Sequence, residues 1–287
     1  MRVFRSTVCW VSRFQSSPKG RLVANSPSGE SVIHRVVRVL SAFTDEEPAL
    51  HLRELARDVG LPLSTVHRLV SELEVEGLLE RDSAGQLRHG HRLWEMASRG
   101  SRAAGLREAA LPVMEDLLHQ AGNHLSLGVL EGTDVLYIER LAADDATINI
   151  TRIAGRLPVH GCSAGLVFMA FAEEAERERF LNRRLEKLTE DTVTDPKQMR
   201  AILAETRRNG FVAMEGIIVR ESSGISVPIF GEGQKVVATL SAIVPRGAED
   251  LPTILPQMLF ASRAISRRLG FESTMRAMRR HSAPIGK

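Results

Sequence analysis

Covalent staples and membrane-spanning runs are both missing from this chain. Its 287 residues hold two cysteines, Cys9 and Cys162, too few for a disulfide framework and without the paired spacing of a zinc site. That usage fits a reducing cytoplasm. No apolar run approaches the roughly 20 residues that a membrane-crossing helix needs. Lysine is confined to Lys19, Lys187, Lys197, Lys235 and Lys287, so arginine carries most of the positive charge. His89-Gly90-His91 has no cysteine partner and no second histidine at metal-ligating spacing. No glycine loop of phosphate-binding type occurs either, and Gly231–Lys235 ("GEGQK") reads as a hairpin turn. The sequence therefore implies no metal and no cofactor.

What is present describes a soluble globular protein, with 43% hydrophobic and 25% charged residues. The length allows two domains with separate cores. The net charge of +3 is unevenly placed. Residues 1–27 carry Arg2, Arg5, Arg13, Lys19 and Arg21 and no acid, while residues 272–287 carry Arg276, Arg279, Arg280 and Lys287 against Glu272. Both ends read as basic arms. The first resembles a transit peptide in composition, but its apolar residues are scattered and it has no A-x-A-like cleavage site. We read it as a solvated tail or a start codon placed too far upstream.

The informative patterning begins at Ser31. Ile33, Val36, Val37 and Leu40 recur at helical spacing, and Leu52, Leu55, Ala56 and Val59 repeat it before Gly60, a helix C-cap. After the short link Leu61–Leu63, a third helix starts at Ser64, a favourable N-cap residue. It buries Val66, Leu69, Val70 and Leu73 and ends at Gly77. Two short helices joined by a tight turn make a helix-turn-helix, whose second helix can enter the major groove. The segments "LLERD" and "QLRHG" around Ser83-Ala84-Gly85 then predict a hairpin, and a hairpin in that place is a wing.

The chemistry of the third helix suits DNA. Ser64 and Thr65, with the backbone N–H groups of the first turn, can hold phosphate. His67 and Arg68 can reach base edges. Arg81 and Arg88 on the wing can meet phosphates or the minor groove. The plain alternative is a solvated helix face. Against DNA stands the charge of residues 28–105, which hold ten arginines and twelve acids, whereas DNA-binding modules are usually basic. Glu72, Glu74, Glu76 and Glu80 are expected to face away from DNA. A protein-interaction module that does not bind DNA is the competing function.

Taken together, "LPLSTVHRLVSELEVEGLLERD" and the following "GQLRHGHRLWEMA" resemble bacterial transcription factors of the isocitrate-lyase-regulator (IclR) type. That family carries a G-L-P-x-S-T-x-x-R-L-L-x-x-L-x-x-x-G run in its recognition helix. Downstream, "RLPVHGCSAGLVFMAFA" (residues 156–172) is similar to the family's G-x-x-x-P-L-H-x-x-A-x-G-K-A-x-L-A element. "RRNGFVAMEG" and "GISVPIFGEGQKVVATLSAIVP" resemble its later strands. The resemblance covers roughly residues 30–270. It implies an α+β chain with an N-terminal winged helix-turn-helix, a linker helix and a C-terminal GAF-like α/β effector-binding domain. The expected divisions are a basic extension at 1–27, the DNA-binding domain at 28–91, a linker helix at 92–105, the effector domain at 106–271 and a basic tail at 272–287. A homodimer or dimer of dimers on double-stranded operator DNA is implied, more in the habit of a repressor than an activator. Its ligand would be an organic acid or aromatic metabolite.

The remaining elements follow from patterning. Leu93, Met96 and Ala97 continue a helix to about Gly105, with Trp94 packed at the junction, and a second helix runs from about Leu106 to Ala121. Strands are expected at 124–130, 135–141, 146–150, 211–214, 224–230 and 235–244. Helices are expected from Ser163, at 173–185, at 196–209 and at 252–269. Carried over from the family, the effector pocket falls on Leu157, Ser163, Ala164, Met214, Gly224 and Ser241. Leu166 replaces the usual lysine, and Gly224 stands where some members have Cys or Ser, so a larger or more apolar effector is expected. An enzyme reading rests only on His160 and Cys162 in "HGCS", a pairing common by chance.

Overall fold

A computed structural model describes residues 30–44, 47–142 and 153–271. The expected strand at 146–150 and both basic arms lie outside the described residues. These divide into two compact units, residues 30–102 and residues 103–271.

The first unit opens with α1 (Val32–Leu40), capped by the Ser31 hydroxyl, which accepts from the His34 N–H at 3.1 Å. Its inward stripe differs from the expected one. Val39 is fully buried and Val36, Leu40 and Phe43 pack beside it, whereas Ile33 is 76% and Val37 48% exposed. Positions 36, 39, 40 and 43 form one helical face, and 33 and 37 are rotated off it. The second helix, α2 (Leu52–Val59), buries Leu55, Ala56 and Val59 and ends on Gly60 at φ +63°, the left-handed conformation that favours glycine. Helix α3 spans Leu63–Val75 and buries Val66, Leu69, Val70 and Leu73. Ser64 is not its N-cap: Pro62 is, and its carbonyl takes the N–H groups of Thr65 at 2.9 Å and Val66 at 3.0 Å. Strands β1 (Leu79–Arg81) and β2 (Leu87–His89) form the expected antiparallel hairpin. The Asp82 carboxylate closes its turn by accepting from the Ala84 and Gln86 N–H groups, each at 2.9 Å.

Helix α4 (His91–Ser98) follows, with no buried residue. The expected single helix to Gly105 is therefore two pieces. Arg99 is extended and Gly100 sits at φ +78°, and α5 (Arg102–Ala121) starts afresh. Trp94 is 72% exposed rather than packed, because α4 has no inward face.

The second unit is built on a six-stranded antiparallel sheet of β3 (His124–Glu131), β4 (Asp134–Leu141), β5 (Arg156–Pro158), β6 (Val212–Glu215), β7 (Ser222–Phe230) and β8 (Val236–Pro245). The spatial order is β5-β4-β3-β8-β7-β6. Strand β5 is too short to have announced itself by alternation. Helices α6 (Ser163–Phe171), α7 (Glu174–Leu181) and α8 (Pro196–Asn209) pack with one face of the sheet, and α5 and α9 (Leu251–Arg268) with the other. Alternation along the strands serves both layers. Leu125 and Leu127, Ile225, Val227 and Ile229, and Leu240 and Ala242 point toward α5 and α9. The residues between them face α6.

Candidate DNA interface and effector site

Burial on one side of α3 leaves the other side to solvent. Ser64, His67 and Arg68 are exposed and Thr65 half-buried, while the N–H groups of Thr65 and Val66 are taken by the Pro62 carbonyl. The arginines meant for DNA are tied to carboxylates of their own unit. Arg68 reaches Glu72 one turn on at 3.4 Å, Arg81 reaches Glu74 at 2.9 Å and the Gly85 carbonyl at 3.1 Å, and Arg88 reaches Asp82 at 2.9 Å. The Asp82 carboxyl is held below its ordinary pKa, chiefly by the Gln86 N–H and then by Arg88. One expectation about the acids fails. Glu72 lies on the same face as Arg68, as the (i, i+4) pair requires. Glu74, Glu76 and Glu80 instead turn toward the wing and α4, where they meet Arg81, Arg92 and His91. The acidic count of this unit is thus spent largely on internal pairs.

In the second unit the register assembles a polar row on the face beneath α6. Ser126 on β3 stands opposite Ser241 on β8, which stands opposite Ser226 on β7. All three are buried. The Ser226 hydroxyl lies 2.7 Å from the Ser241 hydroxyl and 2.7 Å from that of Ser163, the first residue of α6. One register step along, Gly224 pairs with Met214, and a Cβ on Gly224 would come within 2.7 Å of the Ser163 Oγ. The helix start is itself tightly held, since a Cβ on Gly165 would collide with the Val159 carbonyl.

Of the six residues expected to bind effector, Ser163, Ala164, Met214, Gly224 and Ser241 therefore gather under the N-terminus of α6. Leu157 lies on β5, at the other end of the strand order, and shares the apolar cluster under α6 with Ala164 and Met214. Ser226, which links Ser163 to Ser241, was missed, as was Ser126. Their signal was present in the strands, where Ser126 stands between buried Leu125 and Leu127 and Ser226 between buried Ile225 and Val227. Leu166 is buried in the cluster shared by α6 and α8.

The pair behind the enzyme reading shares no proton. His160 Nε2 is bonded to the Glu186 carbonyl at 2.9 Å, and Cys162 donates to the Pro158 carbonyl at 3.6 Å. Burial pushes the Cys162 thiol up to about 11, so it is not a thiolate at neutral pH.

This architecture has a known counterpart. Residues 32–83 match the IclR helix-turn-helix domain, and residues 101–267, more than half the chain, match the bacterial transcriptional regulator IclR C-terminal domain. The chain belongs to the IclR family. It is a DNA-binding transcriptional regulator. Among solved structures it is similar to an IclR homologue from Microbacterium hydrocarbonoxydans complexed with 4-hydroxybenzoate. The two are 42% identical with a TM-score of 0.78, over 83% of this chain and 99% of that one. Curated relatives include the regulator KipR of Bacillus subtilis, 28% identical over 78% of this chain and 92% of its own. The transcriptional repressor IclR of Escherichia coli is 27% identical over 66% of this chain and 71% of its own. This IclR regulator therefore pairs an exposed polar helix face in one unit with a buried polar row in the other.

Proposed function

We propose that this regulator is a repressor whose operator binding is controlled by a small aromatic carboxylate held in the C-terminal unit. The observation that carries the proposal is the buried hydroxyl chain Ser163–Ser226–Ser241. It lies under a helix N-terminus whose N–H groups suit a carboxylate, and Gly224 lets β7 approach Ser163 more closely than a side chain would allow. The 4-hydroxybenzoate complex of the Microbacterium homologue supports an aromatic acid as the ligand class. Leu166 and Gly224 favour a larger or more apolar ligand than pyruvate.

In this account residues 28–91 read DNA, 92–105 link, and 106–271 sense. Ser64 and Thr65 hold phosphate, His67 and Arg68 read bases, and Arg81 and Arg88 steady the wing on the backbone. The protein acts in the cytoplasm as a homodimer or dimer of dimers on a palindromic site. Exposed Ile33, Val37, Trp94 and Met96 on α1 and α4 favour self-association. The two states of the sensor must bind the ligand with different affinity for control to occur.

A thermal-shift series with 4-hydroxybenzoate, related aromatic acids and pyruvate tests the ligand class, and a gel shift with upstream DNA tests specificity. Stabilisation by aromatic acids and a specific complex are expected. Response to pyruvate alone overturns the ligand class, and absence of specific binding at low salt overturns the operator reading.

A further inference from the structure

Strand β7 carries the polar row at Gly224 and Ser226, but four residues on it meets a different environment. Strand β6 begins at Val212, opposite Ser226, so Val227–Phe230 have no partner on that side and the sheet edge is notched. A cavity of about 460 Å³ occupies the notch, within the usual range for small-molecule sites. The exposed backbone of the notch is already satisfied. Ser262 Oγ donates to the Pro228 carbonyl, and the Phe230 N–H donates to Ser266 Oγ at 3.0 Å. An added peptide strand would find those groups taken, and Pro228 offers it no N–H.

The walls divide into an aromatic and a cationic part. Phe171 meets Phe230 edge-on at 5.5 Å between ring centres, and Phe271 stacks on Phe230 at 5.2 Å. Arg207 and Arg208 come from the end of α8, and Arg263 and Arg267 from the end of α9, with no acid among the lining residues. Arginines in the last turns of helices are ordinary complements to the helix dipole. Here two helices end at one cavity, and Arg207, Arg208 and Arg263 make no side-chain hydrogen bond or ion pair among the described residues. A second cavity of about 490 Å³ also has arginines, Arg179, Arg183 and Arg184, but Asp134 and Glu176 stand among them. The segment that follows Phe271 is basic, with Arg276, Arg279, Arg280 and Lys287 against Glu272, and is a poor charge match for the notch.

The geometry points to a second small-molecule site in this notch, taking an amphipathic anion: an aromatic or short acyl body on the phenylalanines, with a carboxylate, sulfonate or phosphate held by the arginines. Guanidinium groups both pair with oxyanions and stack on rings, so the two wall types act on one ligand. The site is separate from the serine row and does not depend on how that row is used.

The probe is 1-anilinonaphthalene-8-sulfonate, followed by fluorescence on the full chain. One bound probe per chain is expected at the notch. The double variant Arg207→Gln/Arg263→Gln should weaken it by about tenfold or more. Arg207→Lys/Arg263→Lys should retain part of the affinity, and Arg179→Gln/Arg183→Gln in the other cavity should leave it unchanged. The uncharged analogue N-phenyl-1-naphthylamine should bind at least about tenfold more weakly. Four results overturn the proposal: no binding to the full chain, equal loss in both glutamine pairs, no retention by the lysine pair, or equal affinity for the uncharged analogue.

Discussion

The two units hold their polar side chains in opposite ways. On α3 and the wing they lie in solvent and are paired with one another by ion pairs of 2.9 to 3.4 Å. Exposed pairs of this kind contribute little and exchange readily for other partners. Under α6 the hydroxyls are buried and linked at 2.7 Å, where an unmet partner is costly. The polar face of α3 and the wing is thus cheap to rearrange. The serine row is costly to disturb, so under the proposed function a ligand that replaces a hydroxyl bond there would have leverage over the unit.

The largest expected effect falls on the scaffold of the reading surface. Leu69→Ala should cost about 2–5 kcal/mol, seen as a lower denaturation midpoint and lost operator binding, with effector binding intact. Loss of both activities would break the separation between the units. Ser226→Ala comes next, at about 1–3 kcal/mol, because it strips partners from Ser163 and Ser241 together. Chemical denaturation measures it, and a change within error would mean the serine row is slack. For DNA, Arg68→Ala should cost about 1–3 kcal/mol and relax sequence preference in competition gel shifts. Arg88→Ala should weaken all sequences alike and reduce the salt slope by about one. The smallest effect sharpens the contrast most. Glu72→Gln frees Arg68 from its intrahelical partner and should strengthen operator binding by about 0.3–0.5 kcal/mol, read by titration at low salt.

Most of the first unit was legible in the sequence, since its helices, the Gly60 cap and the hairpin are local; the N-cap of α3 was placed on Ser64 where Pro62 stands. Gly60, the stripe Val66–Leu73 and the Asp82–Gly85 turn each depend on neighbours a few residues away. What failed there was phase. Ile33 and Val37 satisfy helical spacing as well as Val36 and Val39 do, and only packing against α2 and α3 chooses between them. Glu72 was expected to face away from DNA, although a spacing of four places it beside Arg68. In the second unit the strands other than β5 were legible but the row was not. Ser126, Ser226 and Ser241 meet only through the pairings of β3 with β8 and β8 with β7, and nothing local encodes register. Leu157 and Met214 lie at opposite ends of the strand order yet share one apolar cluster, a meeting that no local pattern announces.

The most direct test of the account is operator affinity measured by fluorescence anisotropy with and without saturating 4-hydroxybenzoate, on the wild type and on Ser226→Ala. The account predicts that the ligand weakens wild-type binding by about 5- to 150-fold, a coupling of 1–3 kcal/mol, and that Ser226→Ala loses most of that response while still binding the operator. An operator affinity that stays the same when the ligand is bound, or a full response in Ser226→Ala, would contradict it.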